Sequence, residues 1–209
     1  MAAASRGRFI TLEGGEGAGK STQSRRLAAW LAGQGLPVLR TREPGGSAGA
    51  EAIRTLLLGQ GPWDPVAEAM LMFAARREHL ARSIRPALAA GIWVVSDRFV
   101  DSTLAYQGHG QGLPEPVWRQ LADLALEADW PDLTLVLDLP PGAGMARATA
   151  RGALNRYEKL GAAFHARVHE GFRAIAAADP RRCRLIDAGQ GPEAVTAAIL
   201  AEVAALRTP

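Results

Sequence analysis

The chain has 209 residues, 48% hydrophobic and 22% charged, with a formal net charge of +3. That length holds one sizeable core and falls short of two full domains. The small net charge and the lack of a basic run argue against a nucleic-acid binder, and no apolar run is long enough to span a bilayer.

MAAASRGRF at the start lacks the apolar stretch of a secretory signal. The lone Cys183 can form no internal disulfide and has no metal-ligand spacing around it. A cytoplasmic location is the expectation. Of the 24 Lys and Arg residues, only Lys20 and Lys159 are lysines, and arginine is the better residue for bidentate contact with phosphate.

In chain order, FITLE (Phe9–Glu13) predicts a first strand, which runs straight into GGEGAGKS (Gly14–Ser21). The run matches G-x-x-x-x-G-K-[ST], and the pattern of Ser21–Ala32, with Leu27, Trp30 and Leu31, predicts the helix that should follow it. Glycines there let successive backbone N–H groups curl around an anion, and the helix N-terminus adds partial positive charge. The motif assigns Gly14, Gly15, Glu16, Gly17, Ala18, Gly19, Lys20, Ser21 and Thr22 to a nucleoside triphosphate. Lys20 would reach the β and γ phosphates, and Ser21 would ligate Mg²⁺.

PVLRTR (Pro37–Arg42) predicts the second strand, IWVVSD (Ile92–Asp97) the third, LTLVLDL (Leu133–Leu139) the fourth and CRLID (Cys183–Asp187) the fifth. Helical patterns fill Asp64–Ala90, Pro116–Ala128 and Pro192–Leu206. GQGPWDP, YQGHGQGLP and DAGQGP read as short loops, and GHGQG as a flexible one. Strands alternating with helices predict an α/β fold, a parallel sheet with helices on both faces. No linker divides the chain, so one domain over 1–209 is expected.

Chemistry gathers at the strand ends. Asp97 closes the third strand, where a carboxylate can hold Mg²⁺ or its waters. Arg98 follows at the edge where open α/β sheets bind ligands. Met72 and Phe73 lie four and three residues before Arg76, so either shares a helix face with it. Such a face offers a base an apolar platform and an anion a cation. Pro44 fixes its φ after Arg42 and Glu43. The amide of Gln107 can offer a donor and an acceptor together. Arg147 and Arg151, at i and i+4, point the same way and with Arg156 make a basic cluster. His79, His109, His165 and His169 form no convincing metal set; His165 and His169 read as a polar helix face.

Four further blocks, TREPGGS (Thr41–Ser47), FAARREHL (Phe73–Leu80), SDRFVDSTLAYQG (Ser96–Gly108) and ARATARGALNRYE (Ala146–Glu158), stand in an order and spacing with the P-loop that resembles bacterial thymidylate kinases. The likeness runs from about Phe9 to Asp187. It implies the five-stranded parallel sheet of the nucleoside monophosphate kinases, a P-loop NTPase fold, with a short lid at about 147–158. The implied reaction moves the γ-phosphoryl group of ATP, with Mg²⁺, to dTMP.

The resemblance also implies roles. Arg98 and Arg54 belong near the acceptor phosphate, Gln107 at the base with Thr103 nearby, and Tyr106 against the sugar. Arg42, Glu43 and Pro44 form the turn after the second strand. Met72 stands where the family usually has an aromatic residue, with Phe73 beside it. The P-loop has Glu16 rather than an arginine, so Arg147 and Arg151 of the lid would supply the catalytic cation. Glu13 would help position Mg²⁺ or the acceptor. Asn155 replaces a usual acid and Gln111 a usual arginine. A homodimer is implied as well. A deoxynucleoside kinase and a non-catalytic P-loop module are the alternative readings.

Overall fold

The computed structural model describes residues 6–150, 152 and 155–206. Five strands, β1 (Phe9–Glu13), β2 (Val38–Arg42), β3 (Trp93–Asp97), β4 (Leu133–Asp138) and β5 (Cys183–Asp187), form one sheet in the order β2-β3-β1-β4-β5. Every pairing is parallel; Leu12 sits opposite Asp97 on β3 and Leu135 on β4. β1 is buried along its whole length and β4 along all but its last residue. This is why neither sequence shows the apolar–polar alternation of a half-exposed strand. β2, at the edge, is only partly covered.

One face of the sheet packs Ile10, Leu12, Val95, Leu135 and Leu137 against α1 (Lys20–Gly33) and α9 (Pro192–Ala205), through Leu27, Leu31, Val195, Ile199 and Val203. The other face packs Phe9, Val94 and Phe99 against α3 (Pro65–His79) and α6 (Glu115–Leu126), through Phe73, Trp118 and Leu126. Val136 and Cys183 pack with Phe172 and Ile175 of α8 (Ala162–Ala178). The shorter helices are α2 (Ala48–Gly59), α4 (Arg85–Ala89), α5 (Val100–Thr103) and α7 (Pro141–Ala150).

The expected helix over Asp64–Ala90 is in fact α3 capped by Asp64, a wider π-helical turn at Leu80–Ile84, and α4. Pro86 lacks an N–H and would press on the carbonyl four residues back in a regular helix. The wide turn before it relieves that clash and puts Pro86 in the first turn of α4. α6 stops two residues short of expectation because Glu127 turns to φ 57°.

GHGQG is not the flexible loop expected. Leu104–Gly110 forms a π-helical segment continuing α5, and Gly108 and Gly110 are buried. A Cβ on Gly110 would lie 2.6 Å from the Phe164 ring. The glycine is therefore there for close packing against α8, not for mobility.

Candidate active site

A cavity of about 830 Å³ opens along the C-terminal edge of the sheet, within the size range of small-molecule sites. The P-loop forms one wall. Gly17, at φ 68°, brings the loop so close to α7 that a Cβ would sit 2.0 Å from the Gly144 carbonyl oxygen. Lys20 opens α1 and folds its Nζ back onto the carbonyls of Gly14 (2.9 Å) and Gly15 (2.6 Å). Burial, reinforced by the charge of Arg98, brings the Lys20 ammonium down to about 8. Opposite it, the Ser21 hydroxyl donates to Asp97 at 2.5 Å.

Arg98 has a left-handed backbone, φ 72°, unusual for a side chain of its size. Such a conformation costs on the order of 1–3 kcal/mol and needs its surroundings to hold it. Here the Arg98 N–H donates to the Leu12 carbonyl, the Ser96 hydroxyl donates to the Arg98 carbonyl, and Glu13 grips the next turn. Glu13 is fully buried and accepts from the N–H of Phe99 (2.8 Å), the N–H of Ser102 (3.2 Å) and the Ser102 hydroxyl (2.6 Å). Burial and the charge of Asp101 push the Glu13 carboxyl up to about 7, against those three donors.

The Arg98 guanidinium is thereby aimed across the P-loop. It donates to the Gly14 carbonyl, Ser102, Glu16 (3.0 Å) and the Tyr106 hydroxyl (3.0 Å). Tyr106 in turn donates to Glu16 at 2.8 Å. Burial raises the Glu16 carboxyl, but Arg98, Lys20 and the Tyr106 bond outweigh it and hold it down to about 2. Glu16 is therefore ionised at neutral pH.

The remaining walls come from β2, α2 and α3. Arg42 and Arg54 both donate to the Pro44 carbonyl, at 2.7 and 2.8 Å. Burial and the nearby charge of Arg42 lower the pKa of Arg54. Arg42 pairs with Glu51 at 3.0 Å, so the two arginines facing the same cavity as Arg98 keep one positive charge beyond that carboxylate, which suits an anion.

Arg76 is buried, with Nε on Glu43 (2.8 Å) and Nη2 on the Phe99 carbonyl and Thr103. The second Glu43 oxygen accepts from His79, whose other nitrogen meets the Thr41 hydroxyl. Arg76 Nη1 is buried without a protein partner. Met72 lines the cavity beside Arg76, whereas Phe73 packs into the core with Phe9 and Phe99. The Arg76 guanidinium lies over the rings of Phe73 and Phe99, at 4.8 and 5.2 Å. Phe73 therefore backs the arginine and does not reach the cavity. The i, i+3 spacing allowed either role, and the packing of Phe73 with Phe9 and Phe99 decides it.

The match to known proteins follows this geometry. The family model for thymidylate kinase matches residues 12–199. A thymidylate kinase of Caulobacter vibrioides is 54% identical, over 92% of this chain and 94% of its own. One of Gluconobacter oxydans is also 54% identical, over 96% and 95%. A crystal structure of the Ehrlichia chaffeensis thymidylate kinase superposes with a TM-score of 0.78 at 34% identity, covering 95% of this chain and 99% of that one.

The chain belongs to the thymidylate kinase family.

Of the site residues singled out in the sequence, those from Glu16 to Thr22 line this cavity, together with Arg42, Glu43, Pro44, Arg54, Met72, Arg76, Asp97, Arg98, Thr103, Tyr106, Gln107 and Arg147. Gly14 and Gly15 turn their carbonyls to Lys20, and Glu13 lies behind the wall. Arg147 donates to the Ala188 carbonyl, on the side of the cavity formed by the loop after β5. Arg151 lies outside the described residues.

The two departures from the thymidylate kinase pattern have structural accounts. Asn155 accepts from the N–H of Tyr157 and Glu158, a turn-forming role that an aspartate could also fill. Gln111 donates to Glu68 at 3.3 Å, where an arginine would bring a charge. His165 is buried against Phe164 rather than on a polar face, and His169 Nε2 donates to the Asp138 carboxylate at 2.7 Å.

Sequence reading missed Glu68, His79, Ser102 and Tyr157. His79 had a weak signal, three residues after Arg76 on the same helix. Ser102 lies four residues after Arg98. Glu68 and Tyr157 are 89 residues apart, and nothing local connects them.

Proposed function

We propose that the protein transfers the γ-phosphoryl group of ATP to dTMP, giving dTDP and ADP, in the cavity described above. The observation that carries this reading is two phosphate-binding devices facing one space. The P-loop is built to hold a triphosphate, and Arg42, Arg54 and Arg98 leave positive charge for a second anion beside it. A deoxynucleoside kinase would have to activate a neutral hydroxyl with a carboxylate base. Glu16 is already engaged by an arginine and a tyrosine, and the buried Glu13 by three donors of the Phe99–Ser102 turn.

The acceptor phosphate is mostly dianionic near neutral pH, with a second pKa of about 6, so no strong base is needed. The task is to align two anions and neutralise them. Lys20 and the P-loop amides take the donor phosphates, Arg98 and Arg54 the acceptor phosphate, and Tyr106 the sugar edge. Met72 provides the apolar platform. Arg76, which lines the cavity beside Met72, adds a cation to the same wall.

Ser21 and Asp97, a hydroxyl and a carboxylate in contact, are the oxygen donors that Mg²⁺ favours when phosphates and waters complete its shell. There Mg²⁺ would neutralise charge on the transferring group. Glu13 acts as a support for the Arg98 turn. The segment at about 147–158 is the lid, and Arg151 its catalytic cation. Arg147 bounds the donor side.

Val66, Met70 and Leu124 are exposed apolar residues on α3 and α6, which pack against each other, and they suit a homodimer contact. No helix among the described residues is long and apolar enough to cross a membrane, in keeping with a cytoplasmic enzyme. A coupled ADP assay over a panel of nucleoside monophosphates tests the reading. The expected result is ADP release with dTMP far above that with any purine monophosphate or with thymidine; release that ignores the acceptor would overturn it.

A further inference from the structure

Glu68, near the start of α3, is fully buried. A buried carboxylate costs several kcal/mol unless it is paired and hydrogen-bonded. Glu68 is surrounded by donors. Oε1 accepts from Gln107 Nε2 (2.6 Å), the Tyr157 hydroxyl (2.7 Å) and Gln111 Nε2 (3.3 Å), and Oε2 from Arg156 Nη2 (2.7 Å). Arg156 also meets the Tyr157 hydroxyl and lies over its ring. One carboxylate thus joins α3, the π-helical segment that carries Gln107, and the end of the lid segment.

The consequence falls on Gln107. An amide presents two donors on nitrogen and two acceptor sites on oxygen. A carboxylate can only accept, so it fixes which end of Gln107 faces it. With Nε2 on Glu68, the Gln107 oxygen turns the other way, and Gln107 lines the cavity. Arg76 lines the same cavity. An acceptor turned into that cavity matches a ring N–H, as at N3 of thymine. Cytosine presents the reverse, a ring nitrogen acceptor next to an amino group.

We propose that Glu68 is a positioning residue for base selection. It locks the Gln107 amide with its oxygen toward the acceptor base, so the site takes an imide and rejects a cytosine-type ring. The same carboxylate anchors Arg156 and Tyr157, which ties the lid's end to the base pocket. This rests on the dTMP kinase reading, and the test separates the two.

Wild-type turnover with dTMP is measured first; its absence would remove the reading itself. The ratio of kcat/KM for dTMP over dCMP is then compared in wild type, Glu68→Gln and the swapped pair Glu68→Gln with Gln107→Glu. An amide at 68 can donate as well as accept, so Gln107 loses its single orientation. Glu68→Gln should lower the ratio about 10- to 100-fold, mainly through a higher KM for dTMP with kcat changed less. The swapped pair returns a pure acceptor to position 107 and should recover most of the loss.

A folded Glu68→Gln variant with a ratio within about threefold of wild type overturns the proposal, as does a loss that the swap leaves uncorrected. Should the variants not fold, wild-type binding of N3-methyl-dTMP decides. The expected result is about 100-fold weaker binding than dTMP; binding within about threefold would show that no acceptor faces the ring N–H.

Discussion

The two halves of the cavity are built by different means. The half proposed for the donor centres on one continuous run, Gly14 to Thr22, which would bind through backbone amides, with Arg147 of α7 at its border. The acceptor half is assembled from β2, α2, α3, the turn after β3 and the π-helical segment. Its polar side chains are themselves held by others: Arg98 by Glu13 through the Phe99–Ser102 turn, Arg76 by Glu43, Gln107 by Glu68. A backbone site tolerates change around it as long as the loop closes. A side-chain site depends on a supporting layer whose members never touch the ligand.

The sharpest way to break the contrast is in the donor half. Lys20→Ala removes the P-loop side chain proposed to reach the phosphates, while the loop's backbone bonds remain. Turnover should fall by at least about 10²–10³-fold, the loss seen when a preorganised donor to developing charge is deleted. Thermal unfolding should move little, because the Lys20 ammonium bonds only to two loop carbonyls. Steady-state rates with the melting temperature check both halves of that statement. A variant with near wild-type turnover would end the P-loop assignment.

In the acceptor half the contrast predicts loss of stability together with loss of binding. Glu43 and Arg76 are each 3% exposed as side chains, and His79 shares the same carboxylate. Glu43→Ala would leave a buried guanidinium without its counter-ion, at about 3–5 kcal/mol. Urea unfolding should show that loss as a lower midpoint at unchanged slope. The KM for dTMP should rise while the KM for ATP stays near wild type, because Arg76 lines only the acceptor side. Equal damage to both constants would mean that the two halves are not separable.

The same contrast explains what could be read from sequence. The P-loop was legible because its function lies in consecutive residues and in φ values that only glycine adopts easily. The sheet was legible because β1 and β4 are buried on both faces, so Phe9–Ile10 and Leu135–Leu137 run without apolar–polar alternation. Helix ends were less so: the π-helical turn before Pro86 and the left-handed Glu127 depend on what the chain packs against. Arg98, Arg54 and Gln107 were placed through resemblance to a family. Their supports were invisible, since Glu68 finds Tyr157 and Glu43 finds His79 only after folding. Phe73 and Met72 could not be told apart from spacing, which gives a shared face but not which of the two packs with Phe9 and Phe99.

The smallest expected effect concerns Glu13 and is read through pH. Its folded pKa, raised to about 7 by burial and by Asp101, lies above its ordinary value of 4.5. Folding therefore favours the protonated form. The contribution to stability is full below about pH 4.5 and is lost as pH rises through about 7, an effect of at most about 3 kcal/mol. Glu13→Gln has no such proton. The difference in unfolding free energy between wild type and variant should shift in the variant's favour between pH 5 and pH 8. Activity should move the other way, because only the ionised carboxylate accepts all three donors of the Phe99–Ser102 turn without giving up a lone pair to its own proton. That turn holds the strained Arg98, so wild-type kcat should gain over the variant across the same pH range. A stability difference that stays flat with pH would mean that Glu13 is ionised throughout, and that the three donors outweigh its burial.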